Sequence, residues 1–256
     1  MREPDLRTRR IPLGTTGRWL HVMEAGLSDR EAPTMLLVHG AAGCWHNFYP
    51  QIRTFSQNYR VIAPDLRGHG LSPWPGPSRI EDFLDDLDRL VDAEIPRSFE
   101  LIGHSFGGAL STHLAVRRQS HINHLALLNT GGNIPRGFVY RLLQLFCSRV
   151  QPWRKFQPYS VGCTSEVAQQ LLHKTLKGWD CWDHYRQITV PTLCVFGKLD
   201  ALIPAAFAPR MEAALPNSTV HVIPSGGHVS MWESPRILRG LLRELLGRNS
   251  AQALAV

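Results

Sequence analysis

The run Gly103-His104-Ser105-Phe106-Gly107-Gly108 sets a hydroxyl among glycines, directly after a β-rich apolar stretch at 99–103 and ahead of a helical pattern at 109–118. A strand that turns straight into a helix strains the residue at the corner, and its neighbours must lack side chains for the backbones to approach. G-x-S-x-G in this context predicts Ser105 as a nucleophile. The first turn of the following helix presents N–H groups to an oxyanion.

Serine is a poor nucleophile without a base, and the base needs a group that holds its tautomer. Among the twelve histidines, His228 closes Ser225-Gly226-Gly227-His228 after the last β-like stretch at 220–223, where two glycines let the loop bend back. Asp200 ends Val195-Phe196-Gly197-Lys198-Leu199-Asp200, immediately past the stretch at 193–197. Elsewhere a single histidine or a turn aspartate reads as structural; at these two places His228 is the expected base and Asp200 its orienting acid. The segment after 124–129 reads Asn129-Thr130-Gly131 and offers no carboxylate. His39-Gly40-Ala41-Ala42-Gly43 supplies small residues where a backbone N–H must face the reacting carbonyl, so the N–H groups of Ala41 and Phe106 are the expected oxyanion hole. His39 reads as a brace for that loop, and Asp65-Leu66-Arg67-Gly68-His69-Gly70-Leu71-Ser72 as a tight, charge-braced turn.

The elements that must position these groups alternate in kind. β-like stretches at 8–13, 19–24, 35–39, 59–64, 99–103, 124–129, 193–197 and 220–223 are interleaved with helical patterns, the signature of an α/β fold with parallel strands. The clearest helix is 78–93, with Ile80, Phe83, Leu84, Leu87, Leu90 and Val91 on one stripe. Ser78 and Glu81 suit a capping box at its start, and Asp82, Asp85, Asp86, Asp88 and Asp92 read as a solvated face rather than a metal site. The alternation lapses over 132–186, which carries helical patterns at 138–149 and 165–177 and many aromatics, a candidate lid. Phe138, Phe146, Trp153 and Trp182 are its candidate substrate-binding residues.

His39-Gly40 with Gly43, Asp65 to Ser72, Gly103 to Gly108, Val190-Pro191-Thr192, Phe196-Gly197-x-x-Asp200, and Gly227-His228 with Glu233 and Pro235 form an ordered set that resembles the α/β-hydrolase superfamily. The resemblance spans about 10–247. It implies an eight-stranded, mostly parallel sheet flanked by helices, with a small helical cap inserted after strand six. The core is then about 8–131 and 187–248, the cap about 132–186, within a single domain 1–256. The chain order Ser, Asp, His is the one this fold uses. Serine at 105 separates the chain from the epoxide-hydrolase and haloalkane-dehalogenase branches, which attack with a carboxylate.

The expected reaction is hydrolysis of a small or medium carboxylic ester through an acyl-enzyme, with neither metal nor organic cofactor. The alternatives are carbon–carbon bond hydrolysis of a diketone-like substrate and, in another class, a non-catalytic binding protein on the same fold. At 256 residues, 43% hydrophobic and 19% charged, the chain can bury one large core. Its net charge of +7 is spread over small groups without a nucleic-acid motif, so no specific nucleic-acid partner is expected. The Arg-rich residues 1–10 precede no apolar run, which predicts neither a signal peptide nor a membrane span. Five scattered cysteines read as reduced thiols in a cytoplasm, with a disulfide between two of Cys147, Cys163 and Cys181 as the lesser alternative.

Overall fold

The computed structural model describes residues 3–15, 17–133, 155–156, 159–160 and 162–252. In chain order its elements begin with β1 (Leu6–Pro12), β2 (Trp19–Gly26), β3 (Thr34–Val38), α1 (Tyr49–Phe55), β4 (Arg60–Pro64) and α2 (Ile80–Glu94). β5 (Phe99–His104), α3 (Phe106–Arg118) and β6 (Ile122–Leu128) follow. Beyond a two-residue ribbon at Lys155–Phe156 and Tyr159–Ser160 come α4 (Ser165–Gln170), extended by a π-helical turn at Leu171–Thr175, and α5 (Trp182–Tyr185). β7 (Thr192–Gly197), α6 (Ala208–Ala214), β8 (Ser218–Ile223), α7 (Ser230–Glu233) and α8 (Pro235–Gln252) complete the order.

Among the described residues these strands form one eight-stranded sheet in the order β1, β2, β4, β3, β5, β6, β7, β8. β1 and β2 pair antiparallel, as do β2 and β4, and every later pair is parallel. Both faces are covered, which is why β3 to β7 read as continuous apolar runs rather than alternating ones. Successive side chains still point to opposite faces. Leu36, Val38, Leu101, Leu125 and Leu127 pack with α2 and α3. Met35, Leu37, Ile102, Ala126 and Leu128 pack with α1 and α8.

The edge strand β1 is largely exposed and carries Arg7, Arg9 and Arg10, which discourages pairing with another chain. Part of the basic surface is matched by acids: Arg7 meets Glu24 at 3.4 Å, and Arg118 reaches Asp92 at 2.7 Å. Arg60, buried beneath, bonds Glu24 at 3.0 Å and Glu94 at 2.9 Å.

Two local expectations fail at α2. The helix starts at Ile80, and its capping contact runs from the Arg79 N–H to Asp82 Oδ2 at 2.7 Å. Ser78 is instead buried, its hydroxyl donating to the Gly76 carbonyl. Asp86 is not on the solvated face: it is buried and accepts from Arg67 at 2.6 Å, tying the turn after β4 to the helix. The helical pattern at 138–149, with Phe138 and Phe146, and Trp153 and Cys147 lie outside the described residues. No described helix is long and apolar enough to cross a membrane.

Candidate active site

β5 ends at His104 and α3 begins at Phe106, so Ser105 alone makes the corner, at φ 51° and ψ −116°. The left-handed region is costly for a residue with a Cβ and persists only where the surroundings over-determine it. They do so here: the Ser105 N–H donates to the Leu128 carbonyl at 2.9 Å, and the Ser105 carbonyl accepts from Thr130 Oγ1 at 2.9 Å. The glycines expected around a nucleophile are sterically required at two places. A Cβ on Gly107 would lie 2.1 Å from the Val38 carbonyl oxygen, and one on Gly103 would lie 2.5 Å from that of Gly107.

His228 and Asp200 arrive from the carboxyl ends of β8 and β7. His228 Nε2 lies 3.0 Å from Ser105 Oγ, and His228 Nδ1 lies 2.8 Å from Asp200 Oδ2. Asp200 is buried; its Oδ1 accepts from the N–H groups of Leu202 at 2.8 Å and Ile203 at 2.9 Å. Burial works against its charge. The hydrogen bond and charge of His228, with the Ile203 N–H and the Asn129 amide, outweigh that penalty and hold the carboxyl below its usual range. The three residues expected from sequence therefore form one hydrogen-bonded relay, with the Nδ1–H of His228 directed at a carboxylate and Nε2 left to accept.

The loop after β3 runs alongside. A Cβ on Gly40 would lie 3.1 Å from Ser105 Cβ, so the Gly40 backbone passes close to the serine. Phe106 is the first residue of α3, where N–H groups have no intrahelical acceptor. Ala42 sits at φ 59°, and its N–H meets His69 Nε2 at 3.3 Å. His39 is fully buried; its Nδ1 donates to the Gly40 carbonyl at 2.8 Å and its Nε2 accepts from the Leu66 N–H at 3.0 Å. Among the described residues no group of three or more His, Cys, Asp or Glu could hold a metal ion.

Neighbours to which the sequence assigns no role brace these residues. His104 Nε2 donates to the His228 carbonyl at 2.8 Å, with the two rings 5.0 Å apart. Burial, aided by the neighbouring His228, pushes His104 down to about 3, so its ring is neutral at ordinary pH. Asn129, noted in sequence only for lacking a carboxylate, touches Asp200 directly at 3.0 Å. Its one signal was its place, a polar residue immediately after a central parallel strand. Glu233 accepts from the Gly227 N–H at 2.6 Å, which pins the glycine ahead of His228.

Of the expected cap residues, Trp182 is described. Its ring is buried against Gly132, Tyr185 and Phe207, with the Arg210 guanidinium 3.8 Å from the ring centre.

Residues 33–161 match the family model described as the alpha/beta hydrolase fold. The chain belongs to this family. The family and the names of its relatives support a hydrolase, and the sheet order and elbow geometry agree with that membership. Epoxide hydrolase 3 of Xenopus tropicalis is 28% identical over 287 residues, covering 92% of this chain and 77% of that protein. The putative carbamate hydrolase RutD of Agrobacterium fabrum is 28% identical over 255 residues, covering 89% and 98%. Among solved structures, E-2-(acetamidomethylene)succinate hydrolase superposes with a TM-score of 0.81 at 23% identity, over 94% of this chain and 99% of that one. That likeness speaks to the fold alone.

Proposed function

We propose that this α/β-hydrolase family member is a serine hydrolase that cleaves a small or medium carboxylic ester through an acyl-enzyme. One observation carries the reading: Ser105 Oγ, His228 and the buried Asp200 stand in a continuous relay, at 3.0 and 2.8 Å, on an elbow that holds the serine at φ 51°. His228 Nε2 takes the hydroxyl proton as Oγ attacks the carbonyl carbon, and Asp200 balances the charge that develops on the ring. The N–H groups of Ala41 and Phe106 receive the oxyanion. The imidazolium then gives its proton to the departing alcohol, and water repeats the sequence to release the acid. Neither a metal nor an organic cofactor enters any step. A hydroxyl at 105 cannot form the ester intermediate of a carboxylate nucleophile, which argues against epoxide opening despite the epoxide-hydrolase relative.

The similarity to a putative carbamate hydrolase favours a second substrate class. A carbamate presents the same acyl carbon with nitrogen on one side, and the relay would serve it unchanged. Carbon–carbon hydrolysis of a diketone would need water activated against a carbon leaving group. Residues 132–186 act as the cap in this reading, with Phe138, Phe146, Trp153 and Trp182 supplying apolar surface near the acyl chain and the ring of Trp182 serving through its packing. Cys181 and Cys194 are buried thiols, Cys181 pushed up to about 12 by burial, which suits a reducing cytoplasm.

A fluorophosphonate probe followed by mass spectrometry tests the nucleophile, and Ser105→Ala should form no adduct and lose several orders of magnitude in ester turnover. An adduct on any other residue would overturn the assignment. Parallel assays with p-nitrophenyl esters, carbamates and a diketone then separate the substrate classes.

A further inference from the structure

Asn129 is wholly buried at the end of β6 and stands at φ 49°. Asparagine enters this left-handed region more readily than most residues because its short amide bonds locally. Here the amide bonds far along the chain. Nδ2 donates to Asp200 Oδ2 at 3.0 Å and to the Gly227 carbonyl at 2.9 Å, while Oδ1 accepts from the hydroxyl of the fully buried Ser230 at 2.6 Å. A carboxylate and a carbonyl can only accept, so Nδ2 must face them, and Oδ1 is left to accept from the Ser230 hydroxyl.

Every partner of this amide belongs to the relay or its support. Asp200 comes from the end of β7, Gly227 precedes His228, and Ser230 follows it on α7. Asp200 Oδ2 is also the oxygen that holds His228 Nδ1. One side chain on β6 thus spaces the acid from the histidine loop and offsets part of the charge on the oxygen that faces the ring. We propose that Asn129, its amide bonded to Ser230, is a positioning residue that sets the basicity and alignment of the Asp200 and His228 pair; the inference rests on the catalytic reading of that pair.

The chemical consequence has a sign. Without the amide, Oδ2 carries more charge towards the ring and favours imidazolium, the form of His228 that cannot take the serine proton. The acidic limb of the rate profile therefore moves to higher pH. The turnover number falls while KM holds, because a fully buried amide makes no contact with substrate.

Asn129→Gly removes the amide while suiting the positive φ, Asn129→Asp sets a second carboxylate beside Asp200, and Ser230→Ala strips Oδ1 of its donor and loosens the amide. For each, the measurements are the rate of fluorophosphonate labelling at Ser105, kcat and KM on a p-nitrophenyl ester across pH, and the melting temperature. Asn129→Gly should slow labelling and kcat by about ten- to hundredfold, the span of a hydrogen bond to a charged group, with KM within about twofold. Asn129→Asp should raise the acidic limb by about one pH unit. Ser230→Ala should show a smaller loss of kcat with the limb shifted in the same direction. Labelling and kcat within about threefold of wild type in Asn129→Gly, or a lower melting temperature with an unmoved profile, would overturn the proposal. Should Asn129→Gly not fold, an unmoved acidic limb in both Asn129→Asp and Ser230→Ala overturns it equally. A wild-type protein that labels elsewhere than Ser105 takes down the triad reading and this one with it; wild-type labelling at Ser105 with unaffected variants takes down this one alone.

Discussion

His69 and His104 should make the fold sensitive to mild acid. His69 is fully buried and held down to about 3 by burial and by neighbouring His39; His104 is held down to about 3 by burial and by His228. In the unfolded chain both return to 6.5. Between these values the unfolded state binds more protons than the folded one, so stability is complete above about pH 6.5 and declines as the pH falls towards about 3. The slope is about 1.4 kcal/mol per pH unit for each ring, which gives about 2 kcal/mol per histidine and about 4 for the pair at pH 5. Against a domain total of about 5–15 kcal/mol that is a large share. His39, fully buried and lowered by burial, adds to the loss with the same sign. Urea unfolding at pH 8 and pH 5 measures it through the midpoint at constant slope. His104→Gln keeps a donor for the His228 carbonyl but does not titrate, so its loss between these pH values should be smaller than that of wild type by about 2 kcal/mol. Equal losses in the two proteins would refute the reasoning.

Asp200→Asn should keep the fold and lose about 10³- to 10⁴-fold in turnover, since an amide neither fixes the tautomer of His228 nor balances its charge; activity within about threefold of wild type would place the acid elsewhere. Trp182→Ala should cost about 3–5 kcal/mol of stability for the packing lost around Gly132 and Phe207, measured by urea unfolding. Phe138→Ala, Phe146→Ala and Trp153→Ala should flatten the several-fold rise in kcat/KM per added acyl carbon that burial at about 0.8 kcal/mol per methylene predicts. Equal losses on every chain length would assign the cap to packing.

β3 to β7 were legible because a strand covered on both faces is apolar at most positions, and a glycine closes or follows several of them. Ser105 and His228 were legible for a related reason: their glycines record close backbone approaches that only one geometry demands, such as the 2.1 Å that a Cβ on Gly107 would leave to Val38. α2 starts two residues past Ser78 because that serine, though suited to an N-cap by type, is drawn inward with Asp86 by Arg67. Asp86 was misread since nothing local distinguishes it from Asp85; its partner lies 19 residues back. Asn129 carried only the signal of its place after a central strand, because its partners stand 71, 98 and 101 residues away and meet only once β6, β7 and the loop after β8 are assembled.

The loops around the site are braced in a way that limits the charge near His228. His39 and His69 each donate from one nitrogen to a carbonyl and accept a backbone N–H at the other, and His104 donates to the carbonyl of His228 itself. A lysine or arginine could donate but not accept, and a carboxylate could accept but not donate; a neutral imidazole does both without a net charge. In the proposed mechanism that neutrality bears on turnover. A protonated His104, its ring 5.0 Å from that of His228, would oppose the imidazolium formed during attack by about 3 kcal/mol at an effective dielectric of about 20. Holding His104 near 3 keeps its ring neutral at ordinary pH and removes that opposition. The ionised partner in contact with the ring is then Asp200, whose charge is itself shared with Asn129 and two backbone N–H groups. Burial of the histidines that brace the loops thus costs acid stability and leaves Asp200 as the charged group bonded to His228.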